Sequence, residues 1–119
     1  MKLAIVGGRT FHDYEKFKII VKEYVAEYGL PETIISGGAK GVDKMAEWYA
    51  KEHHIPLIVL KPNWYPEGKY NHRAGLDRNT DIIDAATHVL ALPTNISKGT
   101  HDSISKAQEK NKMIKVINI

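Results

Sequence analysis

A short apolar run that turns through glycines directly into a helical pattern is the feature that most constrains the fold. The run covers Glu32 to Ser36 and contains two adjacent isoleucines, which is typical of a strand buried on both faces. Beyond the glycine turn, apolar residues recur at helical spacing at Val42, Met45, Ala46, Tyr49 and Ala50. A strand that passes straight into an amphipathic helix predicts a βα unit of a parallel sheet.

The glycines at positions 37, 38 and 41 remove side chains from this turn. Backbone amides at the start of the following helix would then be open to a phosphate or carboxylate, because they lie at the positive end of the helix dipole. The spacing matches neither of the common nucleotide-binding glycine motifs, so no particular cofactor follows and none is predicted. The alternative is a tight turn in which glycine supplies only the backbone angles.

Length and composition limit the class of protein. A chain of 119 residues fits a single domain, which we place at residues 1–119. The absence of cysteine excludes disulfides and thiolate chemistry, and the first apolar run is too short for a signal peptide or a membrane span. We therefore expect a cytoplasmic protein that does not contact membranes. The net charge of +3 is spread along the chain, which does not favour nucleic-acid binding.

The other elements follow the same alternation. Asp13 is predicted to cap the first helix and Thr100 the last, with Asp102 in the first turn of that last helix. Adjacent histidines at positions 53 and 54 point in different directions at a helix end, so we predict no metal site. The predicted strands are Leu3 to Val6, Glu32 to Ser36, Leu57 to Leu60, Val89 to Leu92 and Met113 to Ile119, and another helix is predicted from Ala74 to Ala86.

Repeated βα units predict an open, three-layer α/β fold with about five parallel strands in the order 3-2-1-4-5 and helices on both faces. Turns with unusual chemistry all follow strands, at the edge where parallel sheets bind ligands. Lys61 to Leu76 is an irregular stretch, and its aromatic residues are candidates to stack on a base. The turns that follow strands are Gly7-Gly8-Arg9, Gly37 to Gly41, the loop containing Trp64, Tyr65 and Tyr70, and Lys98-Gly99-Thr100.

In four stretches, Ile5 to Phe11, Ser36 to Asp43, Arg78-Asn79 and Lys98-Gly99-Thr100, the chain resembles the YspA, cpYpsA-related SLOG family. The resemblance implies a Rossmann-like domain that binds a nucleotide or a derivative such as ADP-ribose, as a sensor, carrier or sequestering protein, and that forms homo-oligomers. By position, the implied ligand-binding residues are Gly7, Gly8, Arg9, Gly37, Gly38, Gly41, Asp43, Arg78, Asn79, Gly99 and Thr100. Ser36, Ala39, Trp64 and Lys98 lie in the same turns and are added as candidates.

Two other functions remain open. The related Lonely Guy phosphoribohydrolases cleave the bond between a base and ribose 5′-monophosphate with an acidic pair, whereas Asp102-Ser103 stands at that place here. A nucleotide N-glycosidic hydrolase would then depend on Asp102 and Asp43, although Asp43 also suits a purely helix-stabilising role. The third possibility is association with nucleic acid, by analogy with the DNA-processing relative of the same superfamily.

Overall fold

Five strands and four α-helices alternate along the chain, and the computed structural model describes all 119 residues. The strands are β1 (Lys2–Gly7), β2 (Thr33–Ser36), β3 (Leu57–Val59), β4 (His88–Leu92) and β5 (Met113–Val116). The helices are α1 (Tyr14–Tyr28), α2 (Val42–Glu52), α3 (Ala74–Ala85) and α4 (Lys98–Glu109), and a short 3-10 turn covers Pro66–Gly68. None of these helices combines the length and apolar character needed to cross a bilayer.

All strand pairs are parallel, and the strand order is β3-β2-β1-β4-β5, which confirms the predicted sheet. The central position belongs to β1, in which Ala4 is opposite Ile35 of β2 on one side and Val89 of β4 on the other. The carboxyl ends of β1, β2 and β4 are therefore neighbours. Whatever follows these three strands is brought together at one edge of the sheet.

The two faces of the sheet carry separate hydrophobic cores. Side chains alternate along β1, so Leu3 and Ile5 pack with residues of α1 and α2, while Ala4 and Val6 pack on the opposite face with residues of α3 and α4. The apolar stripe of α2 is buried as its spacing predicts. The three-layer arrangement with helices on both faces is thus confirmed.

Helix and strand ends agree with the sequence in part. The Asp13 side chain accepts a hydrogen bond from the Lys16 amide at 3.1 Å and caps α1, as predicted. The predicted start of α4 at Thr100 is wrong, because the helix begins at Lys98 after a turn closed by the Ser97 hydroxyl, which bonds both backbone polar groups of Thr94. Asp102 consequently lies beyond the first turn. The last strand ends at Val116 rather than at Ile119.

The loops after β1, β2 and β4 touch one another at the carboxyl edge. The Gly8 amide donates to the Leu92 carbonyl and the Val42 amide donates to the Gly8 carbonyl, both at 3.2 Å. A Cβ at Gly41 would lie 2.4 Å from the Gly8 carbonyl oxygen, and Gly41 has a φ of +73°. Only glycine can therefore occupy position 41 without moving the neighbouring loop.

We expect Gly41→Ala to lower the free energy of unfolding by about 1–3 kcal/mol more than Gly29→Ala does, because the alanine at position 41 also collides with backbone. Gly29 is a matched control, since its φ is +96° and a methyl group at this position would have no atom within 4 Å. Urea denaturation followed by circular dichroism measures the difference. Equal destabilisation by the two substitutions would contradict the tight contact between loops.

Candidate functional site

The three joined loops, the middle of α3 and the N-terminal end of α4 surround a cavity of about 430 Å³ at the carboxyl edge of the sheet. This volume lies within the range of small-molecule sites. The cavity is lined by Val6, Gly7, Arg9, Thr10, Ala39, Asp43, Arg78, Asn79, Ile82, Ile96, Ser97, Lys98, Gly99, Thr100 and Ser103.

Nine of the candidate residues from the sequence line this cavity, and they come from four different loops or helices. Others lie outside the lining. Gly8 and Gly41 lie where the loops contact one another, and Asp102 lies one turn along α4. The nine that meet are Gly7, Arg9, Ala39, Asp43, Arg78, Asn79, Lys98, Gly99 and Thr100, and those outside the lining are Gly8, Ser36, Gly37, Gly38, Gly41, Trp64 and Asp102.

Positive charge dominates the lining. Arg9, Arg78 and Lys98 face a single acidic residue, Asp43. The amides of Gly99 and Thr100 lie in the first turn of α4, and neither donates a hydrogen bond within the chain. Such amides carry the positive end of the helix dipole. The cavity is therefore suited to an anion with several oxygen atoms.

The turn after β2 differs from its prediction. Its amides were expected to be open to a ligand, but the Gly38 amide donates to the Ser36 hydroxyl at 3.2 Å and the Ala39 amide donates to the Asp43 carboxylate at 3.1 Å. The Ser36 hydroxyl also lies 3.3 Å from the buried Glu47 carboxylate. Ser36 therefore holds the turn from behind, and these two amides of the turn are not open to a ligand.

Asp43 is nearly buried, with 6% of its surface exposed. Burial, together with a smaller effect of the Glu47 charge, raises the pKa of its carboxyl from the ordinary 3.8 to about 6, although the Ala39 amide, Arg78 and Arg9 oppose the rise. Burial likewise lowers the pKa of Arg78. Near neutral pH the cavity thus holds a carboxyl group that changes charge readily.

Arg78 and Asn79 connect two walls of the cavity. Arg78 donates to the Gly37 carbonyl and, through Nε, to Asn79 Oδ1 at 3.1 Å. Asn79 Nδ2 in turn donates to the Gly99 carbonyl at 3.2 Å and to Asp102 Oδ2 at 3.1 Å. Asp102 also pairs with Lys106 at 2.8 Å. Asp102 therefore positions α4 through Asn79 without lining the cavity.

Trp64 does not reach this cavity. Its ring is stacked against Tyr70, with centroids 6.3 Å apart, and its edge approaches Gly75 at the start of α3. The aromatic loop that was expected to supply a base-stacking residue thus forms a separate surface.

Sequence reasoning missed several lining residues. Ser103 follows Gly99 by four positions and Ile82 follows Arg78 by four, so helical spacing from the candidates would have found both. Thr10 and Ile96 carry no comparable signal, because they lie in irregular turns. The missed residues are Val6, Thr10, Ile82, Ile96, Ser97 and Ser103.

The family model described as YspA, cpYpsA-related SLOG family matches residues 1–65, which is more than half of the chain. The chain belongs to this SLOG family. The matched region contains the first two βα units and therefore two of the loops that line the cavity. A comparison with curated protein sequences found no match.

Solved structures share the fold of this SLOG chain. DNA processing protein A from Streptococcus pneumoniae is 19% identical with a TM-score of 0.74. The match covers 97% of this chain and 49% of the Streptococcus protein. The Helicobacter pylori protein, described for its single-stranded DNA binding mode, is 24% identical with a TM-score of 0.73, covering 98% and 64%. A protein called TM1055 is 18% identical with a TM-score of 0.67, covering 95% and 71%.

The SLOG chain thus spans about half the length of the Streptococcus protein and about two thirds of the length of the Helicobacter protein. At these identities the likeness shows a shared Rossmann-like fold.

The raised pKa of Asp43 predicts an unusual pH dependence of stability. The folded chain holds this proton more tightly than the unfolded chain, so the contribution to stability is present below pH 3.8 and is lost as pH rises through about 6. Asp43→Asn should match the wild type near pH 4 and exceed its free energy of unfolding at pH 7.5 by up to about 3 kcal/mol.

Urea denaturation of both proteins across this pH range measures the difference, and all other titrating groups cancel. Asp81→Asn serves as the control, because Asp81 is an exposed carboxylate that forms no ion pair. A gap between Asp43→Asn and wild type that does not change with pH would contradict the assignment.

Proposed function

We propose that the cavity binds a nucleotide or a nucleotide derivative, such as an ADP-ribose-type molecule, through its phosphate, and that the protein acts as a sensor, carrier or sequestering module. One observation carries this proposal: the two unpaired amides of Gly99 and Thr100 share a cavity with Arg9 and Arg78. Helix amides and guanidinium groups are the donors that phosphate oxygens favour in proteins.

The cavity volume supports a ligand larger than phosphate alone. About 430 Å³ leaves room for a sugar and a base beside the anion. Ile82 and Ile96 add apolar surface to the lining, which suits the faces of a base. A protonated Asp43 can donate a hydrogen bond to a sugar or phosphate oxygen, whereas its ionised form repels the phosphate. Binding should therefore weaken as pH rises above about 6.

A thermal-shift screen with AMP, ADP, ADP-ribose, ribose 5-phosphate and inorganic phosphate tests the proposal. A bound nucleotide at a hundredfold excess over its Kd should stabilise the protein by about 2.7 kcal/mol. Arg9→Gln should weaken that binding about 10- to 100-fold, because a hydrogen bond between charged groups contributes about 1.5–3 kcal/mol.

Arg73→Gln is the matched control for this experiment, since Arg73 is exposed and lies outside the cavity lining. The control should bind as the wild type does. The proposal fails if no nucleotide stabilises the protein at millimolar concentration, or if the two arginine variants bind equally well.

A second candidate function is hydrolysis of a nucleotide N-glycosidic bond, and the position of Asp43 supports it. A general acid that protonates a leaving base works best with a pKa near the working pH, and burial raises the pKa of Asp43 to about 6. Asp102 is a weaker candidate for chemistry, because Asn79 and Lys106 already engage its carboxylate outside the lining.

Chromatographic detection of free base after incubation with AMP separates a hydrolase from a binder. If the protein is a hydrolase, Asp43→Asn should lower base release at least about 100-fold while nucleotide binding persists, since general acids contribute roughly 10²–10⁴ in rate. Asp102→Asn should retain most of the activity. Release that survives Asp43→Asn, or no release by the wild type, would exclude this role for Asp43.

A further inference from the structure

Three aromatic side chains are exposed together on the loop between β3 and α3. Trp64, Tyr65 and Tyr70 have 40%, 65% and 63% of their surface accessible. The Trp64 and Tyr70 rings are nearly parallel, and the Tyr65 ring lies 5.6 Å from that of Tyr70. We call these three residues the aromatic surface. Such a cluster of accessible rings is uncommon and marks a place where something binds.

Backbone hydrogen bonds hold this loop in one shape. The Asn71 amide donates to the Trp64 carbonyl at 2.7 Å and closes the loop at its base. The side chains of Asn63 and Asn71 accept from the amides of Tyr65 and Arg73, and Asn71 also donates to Asp77. The rings are therefore presented on an ordered scaffold, and a ligand that stacks on them need not first order a flexible chain.

The segment that carries the aromatic surface is positively charged. Lys61, Lys69 and Arg73 are exposed, and none of them forms an ion pair within the chain. Glu67 is the one acidic residue between positions 61 and 73, which gives this segment a net charge of +2 with His72 neutral. Accessible rings interleaved with unpaired cations differ from a purely apolar contact surface.

We propose that the aromatic surface binds single-stranded nucleic acid, with unpaired bases stacking on the rings and backbone phosphates pairing with Lys69 and Arg73. Stacking on aromatic side chains and pairing of cations with phosphates are the two elements of single-strand binding. A duplex hides the faces of its bases from such rings, so single strands are selected. An apolar protein partner would leave Lys69 and Arg73 without partners.

This surface adjoins the cavity but is separate from it. Trp64 approaches Gly75, one helical turn before Arg78, while Lys61 packs near Gly38 behind the cavity wall. The proposal does not depend on nucleotide binding in the cavity, because none of the rings lines it.

Tryptophan fluorescence gives a direct readout. The chain has two tryptophans, so Trp48→Phe leaves Trp64 as the single reporter. Titration with a twelve-residue oligothymidylate or oligouridylate, about the span of such sites, should quench its fluorescence. The corresponding duplex and free mononucleotides should not. Comparison of the two oligomers shows whether DNA or RNA binds more tightly.

Tyr70→Ala should weaken single-strand binding at least about fivefold in fluorescence anisotropy, because stacking contributes about 1–3 kcal/mol per base. Trp48→Ala is the aromatic control, as Trp48 is exposed on α2 and should have no effect. Lys69→Ala with Arg73→Ala should reduce the slope of log Kd against log salt concentration by about 1.4, as expected for two phosphate contacts with a single strand.

Two outcomes of the binding experiments would overturn the proposal. Absence of binding at low salt, or binding that Tyr70→Ala leaves unchanged, excludes this surface. Analytical ultracentrifugation adds a second criterion: a wild-type oligomer that Tyr65→Ala with Tyr70→Ala converts to a monomer would assign the rings to self-association instead. Unchanged mass together with weakened oligonucleotide binding supports the proposal. If the thermal-shift screen finds no nucleotide that binds the cavity, each of these results can still be interpreted, because the rings do not line the cavity.

Discussion

The backbone of Gly8 is the link on which the candidate site depends. Its amide donates to the carbonyl of Leu92, the last residue of β4, and its carbonyl accepts from the amide of Val42, the first residue of α2. One residue after β1 therefore links the end of β4 to the start of α2. A Cβ at position 8 would lie 2.5 Å from Thr94 Cγ2. The loops can approach this closely only because Gly8 and Gly41 have no side chains at the contact. The cavity is the space that remains beside that contact, and its walls keep their spacing as long as the contact persists.

Electrostatic interactions dominate the energetics inside the cavity. Removing the Asp43 carboxylate from water is unfavourable, and the Ala39 amide and two arginines offset that cost only in part, so the pKa of Asp43 rises. Groups whose ionisation is disfavoured in this way often lie at functional sites. An anionic ligand would compete with Asp43 for the same guanidinium groups. Proton uptake by Asp43 would remove that competition, which couples ligand charge to protonation in one cavity.

The sheet could be predicted from sequence because its signals are local. The apolar run of β1 and the helical stripe of α2 each indicate burial directly, and repeated βα units predict a parallel sheet, for which the observed order 3-2-1-4-5 is one of the two common orders. The gathering of Arg9, Asp43 and Gly99 follows from that order, since all come after neighbouring strands.

Other features of the site depended on contacts that spacing does not encode. Nothing in the glycine turn reveals that Ser36 and Asp43 bond its amides, because those hydrogen bonds depend on side-chain orientation. Ser97 likewise closes a turn that shifts the start of α4 away from Thr100. Trp64 follows a strand like the other loop residues, yet its loop is long enough to fold on itself and turn the ring away from the cavity.

The chain of hydrogen bonds from Gly37 through Arg78 and Asn79 to Asp102 has a consequence for mutagenesis. Each member bonds the next, so truncating one removes a partner from a part-buried donor or acceptor of its neighbour. A second truncation removes a group that has already lost its partner and adds little further loss. Double-mutant cycles among these hydrogen-bonded residues should therefore show strong non-additivity, and the contribution of any one of them to the free energy of unfolding depends on the others.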